Sequence, residues 1–237
     1  MSDPFRLGPA LAFGLHATAD RPSGDWEPLT TRISDPALHA RVERVRDALW
    51  RPGHERVDAR TAASTEQFGL AARLVSAYLC TVALGQPLDL QSTSIWWRQD
   101  ETGWVGLSFS RTATSSDPLR DGAIVDLTER VQQLYGVSPH VLWGNLGSAA
   151  NSTLTLLRTT RPDLVTAARN AADRLLADPR VDGGTLRAGE GFRRRSCCLI
   201  YRATESLCGD CVLQSSGAAR SCVSRTKAAK PGTVNST

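Results

Sequence analysis

Four of the six cysteines in this 237-residue chain fall within fifteen positions, from Cys197-Cys198 to Cys208-Gly209-Asp210-Cys211, in the pattern C-C-x9-C-x2-C. Thiolates this close together can converge on a single metal centre, and the chain must fold back on itself to let them do so. A structural zinc site uses four ligands, usually as two C-x2-C-like knuckles. Only Cys208 and Cys211 form such a knuckle here. Successive side chains diverge on an extended strand, so the adjacent pair meets one centre only where the backbone departs from that form. The nearest histidine, His140, lies more than fifty residues before Cys197, which argues against mixed cysteine–histidine zinc and against the Rieske pattern. Val212 after Cys211 excludes a C-x-x-C-H haem site. An iron–sulfur cluster fits four thiolates best, and Gly209 is expected to let the backbone approach it closely. Structural zinc, disulfides and free thiols are the alternatives. Disulfides are disfavoured because nothing else in the sequence looks secreted.

The stretch Arg194-Arg195-Ser196-Cys197-Cys198 through Cys208-Gly209-Asp210-Cys211 resembles the C-terminal signature of the FhuF-like ferric-siderophore reductases, whose pattern is C-C-x10-C-x2-C. The spacer here is one residue shorter. Gly69-Leu70-Ala71-Ala72-Arg73-Leu74 and Leu142-Trp143-Gly144-Asn145 are similar in character to that family and occur in the same order, so the resemblance spans residues 69 to 211. It implies a [2Fe-2S] cluster held by Cys197, Cys198, Cys208 and Cys211, and a ferric siderophore as substrate. It also implies an electron donor such as a ferredoxin or a reductase. The implied chemistry is economical in residues. Hydroxamate and catecholate oxygens hold hard Fe(III) tightly, and one added electron gives a softer Fe(II) that they hold far less well. No acid, base or nucleophile is required. An iron–sulfur redox or iron sensor and a zinc-stabilised interaction protein are the alternative functions.

Composition bounds the rest. The chain is 41% apolar and 22% charged, an ordinary globular balance. The start, Met1-Ser2-Asp3-Pro4-Phe5-Arg6, lacks the basic-then-apolar run of a signal peptide. The longest apolar stretch, residues 68–84, carries Arg73 and several polar residues and is too short and too polar to cross a bilayer. A cytoplasmic protein with no integral membrane segment is expected. From Arg187 onward there are nine Lys and Arg against three Asp and Glu, leaving 19 against 21 in the rest. Arg193, Arg194, Arg195 and Arg202 are expected either to compensate an anionic cluster or to attract an anionic chelate or acidic donor. Nucleic acid is not expected, because no aromatic residues interleave with the late basic run. No G-x-G-x-x-G after a strand and no P-loop occur, so no nucleotide or flavin site can be placed.

Periodicity predicts a helix-rich α+β fold: a helical body with a small β-hairpin or sheet and a C-terminal iron–sulfur segment. Residues 1–190 form the body, 191–213 the cysteine segment and 214–237 a basic tail of disordered composition carrying the free thiol Cys222. Residues 1–33 show no periodicity. A helix follows Ser34-Asp35-Pro36, with Leu38, Val42, Val45 and Leu49 on one face. After a polar connection from His54 to Ala63, a second helix runs from Thr65 to Leu84 with Phe68, Ala72, Val75, Leu79 and Val82 inward and Cys80 buried nearby. Residues 94–98 and 104–109 read as a hairpin, whose Trp96, Trp97 and Trp104 serve sheet packing or an aromatic wall for a bulky ligand. Asp126-Leu127-Thr128-Glu129 resembles a capping box. A helix from Ser138-Pro139 to about Arg158 carries Gly144, Gly147 and Ser148, which suit close helix packing. It also carries Trp143 and Asn145, candidates for substrate contact, with Asn145 equally suited to buried hydrogen bonding. Arg161-Pro162-Asp163 opens the last long helix. Truncation after Gln214 is expected to leave the melting temperature and cluster content unchanged. Loss of either would show that the tail packs on the body.

Overall fold

The computed structural model describes residues 7–16, 21–86, 88–99, 105–110, 117–204 and 206–214. Trp104, the hairpin connector and the tail with Cys222 lie outside the described residues. Helices dominate, as the sequence periodicity predicts. They are α1 (Leu29–Arg32), α2 (Asp35–Leu49), α3 (Ala59–Ala83), α4 (Ala123–Tyr135), α5 (Pro139–Thr160), α6 (Val165–Leu176) and the single turn α7 (Tyr201–Thr204). The strands are β1 (Gly14–His16), β2 (Glu27–Pro28), β3 (Ile95–Gln99) and β4 (Val105–Ser110).

α3 is the axis of the body, with α2, α4, α5 and α6 packed around it. A helix surrounded by partners must be apolar or small on most of its circumference. α3 buries Ala62, Ala63, Leu70, Ala71, Leu74, Val75, Ala77, Leu79 and Cys80, together with the polar Thr61, Ser64, Glu66 and Gln67. The one-face expectation is therefore corrected: Phe68, Ala72 and Val82 are only partly buried. The start also moves. Ala59 begins the helix, six residues before the expected Thr65, because the Asp58 carboxylate accepts the Thr61 N–H at 2.9 Å. This satisfies one of the free donors of the first turn. The stretch 59–63 was expected to be a connection because its polar residues break an apolar pattern, but Thr61 is buried against its Asp58 cap and Arg60 faces outward.

α2 begins behind Ser34 as expected, although the Ser34 hydroxyl donates back to the Thr31 carbonyl (2.8 Å) rather than capping. α4 begins at Ala123, three residues before the expected capping box. Asp126 hydrogen-bonds Ser92 instead, and the entry is made by Gly122 at φ +111° while Ala123 N–H donates to Leu90 O at 2.8 Å. α4 ends at Gly136, in the left-handed conformation typical of helix C-termini.

The sheet has the order β1-β4-β3-β2, with β1 parallel to β4 and the other pairs antiparallel. β3 and β4 form the expected hairpin, pairing Trp97 with Leu107. The two edge strands in residues 1–33 are too short to give a periodic signal. The tryptophans are occupied locally. Arg32 lies over Trp97 at 5.4 Å and Arg21 over Trp96 at 5.7 Å, contacts of cation–π type. No helix among the described residues is long and apolar enough to cross a membrane.

After α6 the chain turns back through Gly183 and Gly184, both at positive φ, and lays Val181, Leu186, Ala188 and Phe192 into the core. It thereby carries the cysteine segment onto α5. The Gly122 turn supplies a direct stability test of this body. A Cβ there would sit 2.5 Å from Leu90 O at a φ that side chains rarely adopt. Gly122→Ala is expected to lower stability by about 2–3 kcal/mol, read as a shifted urea midpoint with unchanged slope. An unaltered midpoint would contradict the geometry.

Candidate metal centre

Three residues one helical turn apart seat the cysteine segment. Gly144, Gly147 and Ser148 share a face of α5 by their i, i+3, i+4 spacing. A Cβ on Gly144 would lie 1.8 Å from the Ser196 hydroxyl oxygen and 3.1 Å from a terminal nitrogen of Arg194. A Cβ on Gly147 would lie 3.3 Å from the Phe192 ring. Ser148 donates its hydroxyl to the Asp210 carboxylate. The small residues expected to serve helix–helix packing thus admit the C-terminal segment instead. Arg194 N–H donates to Asp210 O at 3.1 Å, which joins the run before Cys197 to the loop holding Cys208 and Cys211.

Two of the four sulfurs meet, although among the described residues no three metal-binding side chains converge on one point. Cys198 and Cys208 lie 3.8 Å apart, Sγ to Sγ. Two ligands of one tetrahedral ion with metal–sulfur bonds of about 2.3 Å would be separated by about that distance. The departure from extended backbone that a vicinal pair demands occurs at Leu199, a non-glycine residue at φ +68°. Such a conformation is disfavoured for L-residues. It turns the Leu199 N–H toward Cys197 Sγ (3.4 Å), and Ile200 N–H supports Cys198. On the second arm, Cys211 N–H closes a turn on Cys208 O at 3.1 Å, and Leu213 N–H reaches Cys211 Sγ at 3.4 Å. Backbone amides aimed at sulfur favour the anionic thiolate.

Protonation of the thiols shows how closely they interact. Cys198 is driven far below the ordinary thiol range, because Cys197 and then Cys208 donate to it and Ile200 N–H and Arg194 assist. Cys197 and Cys208 are pushed up, each chiefly because it gives its proton to Cys198. The low value of Cys198 and the raised values of Cys197 and Cys208 are thus parts of one shared interaction. Complete ionisation of so tight a set requires cationic charge at its centre, which metal ions supply. The donor set thus fits a thiolate-ligated centre. Cys211 is buried, whereas Cys197, Cys198 and Cys208 are partly open. Gly209 departs from expectation: its φ is not in the left-handed region and a Cβ there meets no protein atom within 4 Å.

Residues 194–213 match the FhuF 2Fe-2S C-terminal domain. That match supplies the cofactor, a [2Fe-2S] cluster, and makes the chain an iron–sulfur protein. All four clustered cysteines lie inside the matched segment. No curated protein matches the chain.

The other sequence-selected residues separate into two groups. Arg193, Arg195 and Arg202 are exposed. Arg193 donates to Gln214 Oε1 (3.0 Å) and Arg202 pairs with Asp58 (3.3 Å). Arg194, Trp143 and Asn145 are buried at 3%, 6% and 0% exposure, so the structure brings none of the three to an open ligand surface. Trp143 lies under the Arg180 guanidinium at 4.2 Å. Asn145 Nδ2 faces Gln67 Oε1 at 2.9 Å and Ser64 O and Oγ at 3.2 Å.

Sequence reading missed the next link. Ser64 Oγ donates to Cys198 O at 3.2 Å, so a buried polar network from α3 and α5 ends on a cysteine carbonyl. Gln67 extends it to Thr128 Oγ1 (3.2 Å) on α4. The available signal was three polar residues at positions where the helices are otherwise small or apolar. His140, distant in sequence, lies 3.7 Å from Asp182, whose carboxylate accepts the Arg195 N–H at 2.9 Å.

Cys80 is fully buried on α3, and desolvation raises its thiol to about 12. Gly144→Ala is expected to unseat Ser196 and Arg194, reducing the cluster's visible absorbance per chain at least about fivefold, while the helical far-ultraviolet spectrum persists. Cys80→Ser serves as the comparison and retains the absorbance. Full absorbance in Gly144→Ala would contradict the docking geometry.

Proposed function

We propose that Cys197, Cys198, Cys208 and Cys211 hold the [2Fe-2S] cluster, and that the protein is a cytoplasmic ferric-siderophore reductase. The observation that carries this reading is the presence of all four cysteines within the segment matched to the FhuF 2Fe-2S domain, two of them with sulfurs 3.8 Å apart. When bound, a four-thiolate [2Fe-2S] centre supplies a low-potential one-electron couple.

The chain's own residues support that role in four ways. The N–H groups of Leu199, Ile200 and Leu213 stabilise sulfur as thiolate. The Asn145–Ser64 network and the Ser148–Asp210 bond hold the two cysteine arms against the body, so little reorganisation accompanies a change of charge. Partial exposure of Cys197, Cys198 and Cys208 leaves one side of the centre open to a docked chelate. The exposed Arg193 and Arg195 supply long-range attraction for an acidic electron donor such as a ferredoxin or reductase. One electron enters from that donor and leaves to Fe(III), giving Fe(II), which its oxygen ligands hold less well.

Dithionite-reduced protein, mixed anaerobically with hydroxamate and catecholate ferric chelates and ferrozine as an iron(II) trap, tests the reading. Cluster reoxidation should match trapped iron(II) one to one, with rates differing strongly between chelates. Uniformly slow reoxidation, no faster with any siderophore than with a simple ferric chelate, would contradict it.

A further inference from the structure

Of the four arginines around the cysteine segment, one differs in kind. Arg194 is 3% exposed. Its side chain has no acidic partner among the described residues. One terminal nitrogen donates to Val141 O at 3.3 Å and to Ser196 Oγ at 3.2 Å, and its Nε has no hydrogen-bond partner. Gly144 makes the space that the guanidinium occupies. A buried cation without an anion is strongly unfavourable, and arginine cannot relieve the cost by losing its proton. Something anionic must answer it.

Cysteines that hold an iron–sulfur cluster do so as thiolates, and the run that carries Arg194 leads directly into them. Arg194 lies three residues before Cys197, and its backbone N–H is bonded to Asp210 between the other two cysteines.

We propose that Arg194 is the buried counter-charge of the cluster, positioning the two cysteine arms and making the bound centre easier to reduce. The inference rests on the cysteine ligand assignment above and not on the identity of the substrate. Each thiolate and each added electron makes the centre more negative, so a fixed cation stabilises the reduced form more than the oxidised one. Burial makes this effect large, because neither water nor salt screens it. Exposed Arg193 and Arg195 are screened, and Arg202 is already paired with Asp58. The basic residues thus play different parts. Arg194 sets the electron affinity from beneath, and the others face solvent.

Anaerobic redox titration of the cluster-loaded full chain, with dithionite and mediators and no siderophore, reads this directly. Arg194→Gln should lower the equilibrium constant for electron uptake at least about tenfold, roughly 59 mV for one electron. Arg194→Lys, which keeps the charge, should stay within about threefold of the parent, as should Arg193→Gln and Arg195→Gln. An Arg194→Gln value within threefold of the parent, or an equal shift in Arg193→Gln, overturns the proposal. If Arg194→Gln takes up no cluster, urea unfolding of the metal-free proteins decides. Removal of an uncompensated buried cation should leave metal-free Arg194→Met at least as stable as the metal-free parent. A less stable variant would mean that protein contacts alone hold the guanidinium, and would also overturn the proposal. Because no siderophore is present, a failed ferrozine assay leaves this result untouched.

Discussion

The approach of the cysteine segment to α5 is set by a missing side chain. Gly144 leaves a hole of one methyl group, and the Ser196 hydroxyl and the Arg194 guanidinium fill it. One turn further along, Gly147 receives Phe192 and Ser148 binds Asp210. Phe192, Arg194, Ser196 and Asp210 bracket both cysteine arms, so the helix face fixes where each arm lies. Leu199 in a left-handed conformation then curls the first arm, and the Cys208–Cys211 turn closes the second. A segment of about twenty residues could not hold four mutually repelling thiolates in this arrangement alone, since small units lack the buried area to offset ordering. The body provides the rigid surface.

That surface is polar where polarity has a use. Asn145, Ser64 and Gln67 are buried in a helix interface where apolar residues would pack more simply. Their hydrogen bonds to one another offset part of the cost of burial, with Asn145 Oδ1 left without a partner, and the network ends on the Cys198 carbonyl. Together with Arg194 it gives the cysteine pair a fixed polar floor. The same side chains that secure the packing of α3 against α5 therefore also hold the cysteine segment in place.

Much of this was legible in the chain itself. The cysteine spacing marked the segment that matches the 2Fe-2S domain, and the apolar periods with Pro36, Gly136 and Pro139 located three helices to within a few residues. The hairpin followed from alternating residues 94–98 and 104–109. Other features were hidden for physical reasons. The start of α3 was missed because Asp58 and Thr61 look like connection residues until the carboxylate caps the first turn, and the partners of Ser64, Asn145 and Cys198, are remote in sequence. Asp126 looked like a capping-box residue, yet Ser92 captures it, and a left-handed glycine opens α4. Trp143 and Asn145 looked like ligand contacts because aromatic and amide groups serve both binding and packing; burial separates the two uses, and no local pattern reports burial on several sides. Arg194 could not be told from Arg193 and Arg195, since alternation along an irregular run gives no face.

Everything above turns on whether these four cysteines, docked on α5, hold two iron ions bridged by sulfide. Iron, acid-labile sulfide and zinc, measured per chain in anaerobically purified protein, test it most directly. Two iron and two sulfide per chain are predicted with negligible zinc, and loss of both iron and sulfide when Cys197, Cys198, Cys208 or Cys211 is replaced by alanine. Stoichiometric zinc without sulfide, or undiminished iron and sulfide in any of those four variants, would contradict it.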